Sequence, residues 1–396
     1  MTSLAVDGGT PVRNTLLPYG RQSISKEDID AVVNVLRSDW LTTGPMVEAF
    51  EKRFAEIACQ RHAVAVCNGT AALHAAVYAL DIRAGDEVIV PTLTFAATAN
   101  AVVFQDGVPV FADVDAGTLL IDPKTIERMI TPRTRAIIAV DYAGQPCDYD
   151  ALRAIAAPRN IHLMSDSCHA LGATYHGRPA GSFSEVNVFS FHPVKHITTG
   201  EGGMAGTDND EYARRMRVFR NHGITTDHRQ RQERGGFFYE MVDLGYNYRL
   251  TDFQCALGLR QLDGLPELLA RRRQIAARFD EAFSSLDLAA SLAVRAGVCH
   301  AYHLYVLQLR LERLRVDRAQ VIRALRAEGI GANVHYVPVH LHPYYRQQFG
   351  TAPGLCPVAE AAYDRLVSLP LFPGMSDDDV EDVIAAFTKV LGHYRR

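Results

Sequence analysis

The sequence lacks the features that mark membrane proteins and nucleic-acid-binding proteins. No run of about 18 apolar residues could span a bilayer, and residues 1–14 lack the continuous apolar core of a secretion signal. No block of like charges is present, and the formal net charge is -4. The densest basic stretch, "ARRRQIAARF" over residues 270–279, is interpreted as a solvated helix face. Because nucleic acids and anionic membrane surfaces attract basic patches, we expect neither as a partner.

The cysteines also lack a recognisable framework. The seven cysteines stand at scattered positions, are odd in number and include no CxxC spacing. This pattern indicates reduced thiols that are mostly buried as small hydrophobic groups, and it favours a cytoplasmic protein.

What the sequence does contain is a regular alternation of strand and helix patterns. The chain has 396 residues, of which 48% are hydrophobic and 22% are charged, and this length predicts two domains or three. Between about residues 60 and 207, short β-rich runs alternate with helical patterns, which predicts a mostly parallel sheet covered on both faces. The runs predicted as strands are "HAVAVC" (62–67), "DEVIVP" (86–91), "VPVFADV" (108–114), "RAIIAVDY" (135–142), "IHLMSD" (161–166), "VNVFSF" (186–191) and "GGMAGT" (202–207).

The rest of the chain has a different character. A helix is predicted near residues 210–221, and a long one over about 251–283. Strands are predicted at "AYHLYVLQLR" (301–310) and "ANVHYVPV" (332–339), with helices at "RAQVIRALRAEG", near 357–366 and near 376–394. The predicted fold class is α/β, with a large domain over residues 1–265 and a smaller C-terminal α/β domain over 266–396.

Polar residues follow several of the predicted strands. In open α/β sheets, ligands gather at the carboxyl ends of the strands. After the first strand, Gly69 and Thr70 open a helix whose free N–H groups could bind an anion, although simple N-capping is the favoured explanation when this segment is taken alone. Asp166 ends an apolar strand, where a carboxylate needs a cation or hydrogen-bond donors. It could also be an ordinary strand-end cap. A metal site with the nearby Cys168 and His169 is the weaker alternative, since such spacing without a second cluster rarely closes a site.

Ser190 and Lys195 follow the strand "VNVFSF". Lys195 is a lone amine among Phe189, Phe191 and other apolar neighbours. An apolar setting lowers the pKa of a lysine because it disfavours the charged form, and this suits a nucleophile. An anion cradle, a carboxylate, a hydroxyl and an amine at the same sheet edge match one ligand, pyridoxal phosphate, which has a phosphate, a pyridine nitrogen and an aldehyde.

A series of segments supports this interpretation. The sequence resembles the sugar-nucleotide aminotransferases of pyridoxal-phosphate fold type I, the DegT type, over essentially the whole chain. The segments that carry the resemblance are "WLTTGP", "NGTAALHAA", "PTLTFAATANAV", "VDYAG", "SDSCHALGATY", "FSFHPVKHITTGEGG", "FRNHGI", "YNYRLTDFQCALGL" and "VHYVPVH".

The resemblance implies a role for each matching residue. Lys195 would be the catalytic lysine that binds the cofactor covalently, and Asp166 would face the pyridine nitrogen. The remaining cofactor contacts implied are Gly69, Thr70 and Ser190 at the phosphate, Phe95 on the ring face, His169 near the 3-hydroxyl and Asn247 at the phosphate of the neighbouring subunit. For Phe95 the alternative is an ordinary core aromatic residue, and for Asn247 a turn residue that caps the long helix. The residues implied at the substrate are Thr42, Thr43, His335 and Tyr336.

The resemblance also implies the reaction and the assembly. We expect a transaminase that takes nitrogen from L-glutamate and forms a homodimer with shared sites. The segments around Asp166 and Lys195 are most similar to the 4-aminotransferases of pseudaminic-acid biosynthesis, which act on UDP-linked 4-keto-6-deoxy-N-acetylhexosamines. The opening "LAVDGGTPVR" is instead typical of antibiotic-pathway members that act on other keto-sugars or keto-cyclitols. Two alternatives to an aminotransferase are considered. One is a deoxygenase of the same fold, but related deoxygenases carry histidine in place of the lysine, and Lys195 argues against it. The other is a cofactor-binding regulator without turnover.

Overall fold

The structure, a computed structural model, describes residues 3–226, 228–233 and 235–396. The elements up to the last strand of the main sheet are, in chain order, α1 (Lys26–Leu36), α2 (Pro45–Ala58), β1 (His62–Val66), α3 (Gly69–Ala79), β2 (Glu87–Pro91), α4 (Ala97–Val103), β3 (Val108–Ala112), α5 (Pro123–Ile126), β4 (Thr134–Val140), α6 (Tyr149–Ala156), β5 (His162–Asp166), β6 (Thr174–Tyr175), β7 (Arg178–Pro179), β8 (Val186–Ser190) and β9 (Gly203–Thr207). Each strand predicted between residues 62 and 207 is confirmed.

The second half of the chain contains more helix than strand. Its elements are α7 (Asp210–Phe219), α8 (His228–Glu233), α9 (Asp252–Asp263), α10 (Leu265–Phe283), β10 (Ala289–Ser291), β11 (Val298–Cys299), β12 (Tyr305–Leu309), α11 (Arg318–Ala327), α12 (Pro343–Phe349), α13 (Pro357–Tyr363), β13 (Leu366–Leu369) and α14 (Asp377–Tyr394).

In the described chain, the main sheet has seven strands in the order β1-β9-β8-β5-β4-β2-β3. Strand β9 runs antiparallel to both β1 and β8, and the other neighbouring pairs are parallel. The sheet is therefore mostly parallel, and the predicted α/β class is confirmed. Because β1, β5 and β8 run in the same direction, the residues that follow them meet at one edge.

Burial explains the apolar composition of these elements. Strands β2 and β9 are buried along their whole length, as strands with both faces covered should be. Helix α3, "GTAALHAAVYA", is buried on nearly every side, and its many alanines allow close packing against the sheet. This buried helix brings its N-terminus to the carboxyl end of β1.

The predicted long helix over 251–283 is in fact two helices. Gly264 ends α9 and precedes α10, and Pro266 occupies the first turn of α10. Proline lacks the N–H that would continue the helix and its ring clashes with the preceding turn, so the chain breaks at this point. The expectation of one continuous helix is wrong.

Helix α10 connects two hydrophobic clusters. Its residues Leu265 and Leu269 pack in the cluster around the main sheet, whereas Ile275 and Phe279 pack in a second cluster formed largely by residues after 275. Leu4, from the start of the chain, also packs in that second cluster. The division into residues 1–265 and 266–396 stays a prediction, and the N-terminal segment packs with the C-terminal residues.

The C-terminal part contains a three-stranded antiparallel sheet in the order β10-β12-β13. The predicted strand "ANVHYVPV" does not form; the segment makes a single bridge between Asn333 and Ser368. Beyond this bridge the chain turns toward the main sheet, where the N–H of Val339 donates to the carbonyl oxygen of Thr92 at 2.8 Å. The segment thus connects the two parts instead of extending a sheet.

The cysteines are all free. Cys147, Cys255 and Cys356 are buried, Cys67 and Cys168 are half-buried, and Cys59 and Cys299 are exposed, so the expectation of burial holds in full for three of the seven and in part for two more. No helix in the described residues is both long and apolar enough to cross a lipid bilayer.

Candidate active site

Lys195 lies in the turn between β8 and β9, at the carboxyl end of β8. Its backbone N–H donates to the carbonyl oxygen of His192 at 2.9 Å, and the N–H of Thr199 donates to the carbonyl oxygen of Phe191 at 3.0 Å. Phe191 is fully buried, which anchors the start of the turn in the core. The Lys195 side chain is half-buried, and its amine is close enough to Asp166 to interact with that carboxylate electrostatically.

Asp166, the last residue of β5, is buried at the same edge. The hydroxyl of Thr98 donates to its Oδ2 at 2.8 Å, and the N–H of Cys168 donates to its Oδ1 at 3.2 Å. Thr94 supports Thr98 through a hydroxyl contact of 2.8 Å. These donors fix the orientation of the carboxylate, as a buried acid requires.

The surroundings of Lys195 favour its neutral form. Burial lowers the pKa of Lys195 below its ordinary value, and the guanidinium of Arg272 lowers it further. The charges of Cys168 and Asp166 oppose this effect. A lysine with a lowered pKa has a larger fraction of free amine at neutral pH, and only the free amine can attack an aldehyde.

Gly69 and Ser190 form a close junction between the start of α3 and the end of β8. A Cβ added to Gly69 would lie 2.9 Å from Cβ of Ser190, so no larger side chain fits there. Asn68 caps α3 by accepting the N–H of Ala71 at 2.8 Å, which leaves the N–H groups of Gly69 and Thr70 outside the helical hydrogen-bond pattern. The capping alternative therefore belongs to Asn68, and the next two residues offer donors to an anion.

His169 and Tyr336 are neighbours on another side of the site. The Tyr336 hydroxyl lies 3.1 Å from Nε2 of His169, and the two rings stack with centroids 6.0 Å apart. Nδ1 of His169 is buried and has no hydrogen-bond partner among the described residues. Burial lowers the pKa of His169 well below its usual range, so the ring is neutral.

Phe95 and His335 border this pair. Phe95 is 60% exposed, and its ring lies 5.9 Å from that of Tyr336. A large apolar ring left open beside a buried polar cluster is not an ordinary core residue. His335 is buried; its Nδ1 lies 2.9 Å from the hydroxyl of Ser368, and its carbonyl oxygen accepts a hydrogen bond from Tyr142.

The remaining predicted residues lie elsewhere in the chain. Thr43 lines a cleft of about 680 Å³ whose lining does not include Lys195 or Asp166, and Thr42 pairs with Thr251 in an isolated bridge. Asn247 is exposed and pairs with Asn221. It does not cap α9, because Thr251 and Gln254 form the capping box of that helix. The capping alternative for Asn247 is therefore wrong.

Several residues of the site were missed by the sequence reasoning. Thr94 and Thr98 stand at i and i+4 in "PTLTFAATANAV", a spacing that places both on one side of a helical turn and could have indicated their contact. Asp141 is fully buried beside Asp166, and its backbone N–H donates to the carbonyl oxygen of Asp166 at 3.0 Å. Burial raises the pKa of Asp141 to about 6, and the hydrogen bonds from Ser167 and Tyr149, which lower this pKa, offset the effect of burial only in part.

The residues at this edge fit pyridoxal phosphate. The tight junction at Gly69 leaves backbone donors for a phosphate, Asp166 offers a fixed carboxylate for a pyridine nitrogen, and Lys195 offers an amine with a lowered pKa for an aldehyde. Nδ1 of His169 has no hydrogen-bond partner among the described residues, and the ring of Phe95 is open to solvent, so both are available to a ligand. The fold and the site together define an enzyme of the pyridoxal-phosphate fold type I class.

The chain belongs to the DegT/DnrJ/EryC1/StrS aminotransferase family, whose model matches residues 22–388. It is 44% identical over 381 residues to the spore coat polysaccharide biosynthesis protein SpsC of Bacillus subtilis, covering 96% of this chain and 98% of that one. Among solved structures, it is similar to PseC of Helicobacter pylori, an aminotransferase involved in pseudaminic acid biosynthesis, with a TM-score of 0.90 and 31% identity over 96% of this chain and 100% of PseC.

A second solved structure is the PLP form of a Streptococcus pneumoniae protein assigned as a sugar aminotransferase. It has a TM-score of 0.89 and 34% identity, and the match covers 96% of this chain and 99% of that one. The resemblance inferred from the sequence is confirmed, and the protein is an aminotransferase.

Proposed function

We propose that the protein transfers an amino group from L-glutamate to a nucleotide-linked keto sugar, with pyridoxal phosphate as its cofactor. The observation that carries the proposal is the position of Lys195, an amine with a lowered pKa on the turn that follows the buried strand β8. The family match and the PLP form of the Streptococcus pneumoniae protein support the same cofactor.

Each polar group of the edge has a defined role in this proposal. Lys195 binds the cofactor covalently, and Asp166 holds the pyridine nitrogen in its charged form. The other cofactor contacts are Gly69, Thr70 and Ser190 at the phosphate, Phe95 on the ring face and His169 at the 3-hydroxyl. Thr98 keeps the Asp166 carboxylate in place through its 2.8 Å hydrogen bond.

When bound, pyridoxal phosphate supplies an electron sink and carries the amino group between the two substrates. With its amine free, Lys195 would act first as the base that takes the proton from the α-carbon of glutamate and then as the acid that gives it back to the bound group. A neutral amine is needed for the first of these transfers, and burial together with Arg272 favours that form. Water would supply the keto oxygen that releases 2-oxoglutarate, and Lys195 would move the proton in the opposite direction when the keto sugar is aminated.

For the sugar substrate, we propose amination at C4 of a UDP-linked 4-keto-6-deoxy-N-acetylhexosamine. The likeness to PseC supports this choice, together with the segments around Asp166 and Lys195. The residues assigned to the substrate side are His335, Tyr336, Thr42 and Thr43. Tyr336 is well placed for this task, since its ring contacts those of both Phe95 and His169.

We further propose a homodimer that works in the cytoplasm, with Asn247 reaching the phosphate of the partner's cofactor. Asn247 is exposed and follows an apolar surface that faces solvent in the single chain. Each of these side chains is more than half exposed: Phe237, Phe238, Tyr239, Met241, Val242 and Leu244. Apolar side chains exposed in such a contiguous segment are typical of a protein interface, and a second copy of the chain would cover them.

The alternatives are an aminotransferase for another keto-sugar or a keto-cyclitol, and a cofactor-binding regulator without turnover. Incubation of the enzyme with glutamate and a panel of UDP-, GDP- and dTDP-linked keto-sugars, followed by mass spectrometry, separates them. We expect one amino sugar from the UDP-4-keto substrate and none with Lys195→Ala. Turnover of only a dTDP-3-keto sugar or a keto-inositol would disprove the sugar assignment and leave the cofactor chemistry intact. Full activity of Lys195→Ala would disprove the proposed role of the lysine.

A further inference from the structure

Helix α10 carries an arginine inside the protein. The side chain of Arg272 is 1% exposed, and it stands in the apolar stripe of the helix together with Leu269, Ala276 and Phe279. The interpretation of "ARRRQIAARF" as a solvated face is therefore wrong for Arg272. The spacing 265, 269, 272, 276, 279 and 283 places Arg272 on the buried side, and this periodicity was available in the sequence.

Arg272 contacts the backbone of three separate segments. Its Nη1 donates to the carbonyl oxygen of Leu371 at 3.0 Å and to that of Tyr302 at 3.2 Å. Its Nη2 lies 3.5 Å from the carbonyl oxygens of both Val194 and Lys195. Three parts of the chain thus meet at one guanidinium, and one of them is the turn that bears Lys195.

A buried cation of this kind is costly unless its charge is compensated. Among the described residues, no carboxylate forms an ion pair with Arg272, and its Nε has no hydrogen-bond partner. Only carbonyl dipoles compensate the charge, whereas an apolar side chain of similar volume would fill the same space without that penalty. Burial lowers the pKa of Arg272 to about 10, so the group is still charged at neutral pH.

We propose that Arg272 is a positioning residue for Lys195: it fixes the backbone of the lysine turn against the 302–303 and 371 segments and places a permanent positive charge beneath that turn. Only the chemical use of this arrangement rests on the proposed function, since the contact itself involves no ligand. The consequence is that a smaller fraction of the Lys195 amine is charged and a larger fraction is free to react with an aldehyde.

Among the described groups near Lys195, Arg272 is the positively charged one that lowers the pKa of its amine. Asp166 and Cys168 raise the pKa of Lys195, and Arg272 lowers it. The surrounding histidines are neutral because burial lowers the pKa of each one; they are His169, His196, His303 and His335. The Tyr336 hydroxyl is also neutral, because burial raises its pKa well above the usual value.

The neighbouring Arg273 offers a matched control. It too binds backbone carbonyls, since its Nε donates to His300 at 3.0 Å and its Nη2 to Gly172 at 3.1 Å, but it makes no such bond to the lysine turn. Arg272→Met and Arg273→Met each remove one cation from the same helix. They differ in whether the lost group contacts residues 194–195.

The first test measures the Lys195 amine directly in the full-length protein without cofactor. Competitive acetylation with acetic anhydride across a pH series, followed by peptide mass spectrometry, gives the pKa of this amine. We expect Arg272→Met to raise that pKa by about one unit, which lowers the free amine at neutral pH about tenfold. Arg273→Met should leave it nearly unchanged. Equal pKa values for Lys195 in the two variants would overturn the proposal.

A second pair of variants keeps the test decisive if Arg272→Met does not fold. Lysine preserves the charge but cannot reach three segments at once, so Arg272→Lys should speed hydrogen exchange of the amides over 194–199 several-fold, and Arg273→Lys should not. Unchanged exchange in Arg272→Lys would refute the positioning role. Both measurements are independent of turnover, so a failed sugar or cofactor assignment would show in the activity panel and leave these results interpretable.

Discussion

The hydroxyl of Thr98 donates a 2.8 Å hydrogen bond to Oδ2 of Asp166, so a residue of α4 sets the orientation of the carboxylate that ends β5. We expect Thr98→Val, which keeps the shape and removes the donor, to lower kcat/KM about tenfold, equivalent to about 1.4 kcal/mol. Thr207→Val is a suitable control, because Thr207 is a buried hydrogen-bonded threonine at the far end of β9. Steady-state kinetics decides the matter, and equal losses in the two variants would speak against a specific role for Thr98.

Asp166→Ala should reduce activity far more than His169→Gln. A carboxylate and a pyridinium about 4 Å apart interact by about 4 kcal/mol at an effective dielectric constant of about 20, which corresponds to about three decades in rate if it is lost from the transition state. His169→Gln only replaces one hydrogen-bonding group by another. Single-turnover rates of both variants with glutamate test this, and near-normal activity of Asp166→Ala would rule out the pyridine-nitrogen role.

Asp141 should make stability depend on pH. Its pKa is raised to about 6 in the folded protein, against 3.8 as its ordinary value, so the folded state binds the proton more tightly than the unfolded state. The stabilisation is fully present below about pH 4 and is lost as the pH rises through about 6, and it amounts to about 3 kcal/mol.

Urea unfolding of the wild type and of Asp141→Asn at about pH 4.5, 5.5 and 7 isolates this contribution. The contributions of all other titrating groups cancel in the difference between the two unfolding free energies. The unfolding free energy of the wild type relative to the variant should fall across this range. A pH-independent difference would mean that Asp141 does not titrate there.

Co-expression of two inactive variants should restore activity if the sites are shared. Asn247 is exposed and lies outside the cluster around Lys195, so we expect it to act on the partner subunit. In a mixed dimer of Lys195→Ala and Asn247→Ala protomers, one site then carries both defects and the other carries neither. Activity of the purified mixed dimer measures this, given that Asn247→Ala alone is clearly impaired. Absence of recovery would place Asn247 in the site of its own chain.

The sequence predicted the parts of the site that depend on chain direction. Asp166 and Ser190 end their strands and Gly69 follows β1; the three strands run the same way, and a parallel arrangement brings such ends together whatever the details of packing. The contact of Thr98 with Asp166 depends on how α4 packs beside β5, and no local pattern specifies that packing. The charge of Arg272 led to the prediction of an exposed side chain. Its position in the apolar stripe of the helix indicates burial instead, and the side chain is buried.

Strand β9 separates the two strands that lead to the start of α3 and to the turn of Lys195. It lies between β1 and β8, so the helix start at Gly69 and the turn of Lys195 come from strands that are not neighbours. At Gly203 an added Cβ would collide with the carbonyl group of Asn68, so this position of β9 accepts only a residue without a side chain. The start of α3 is therefore tied to the backbone of β9, and a substitution at Gly203 would displace that helix start together with Gly69, although position 203 bears none of the polar groups of the edge.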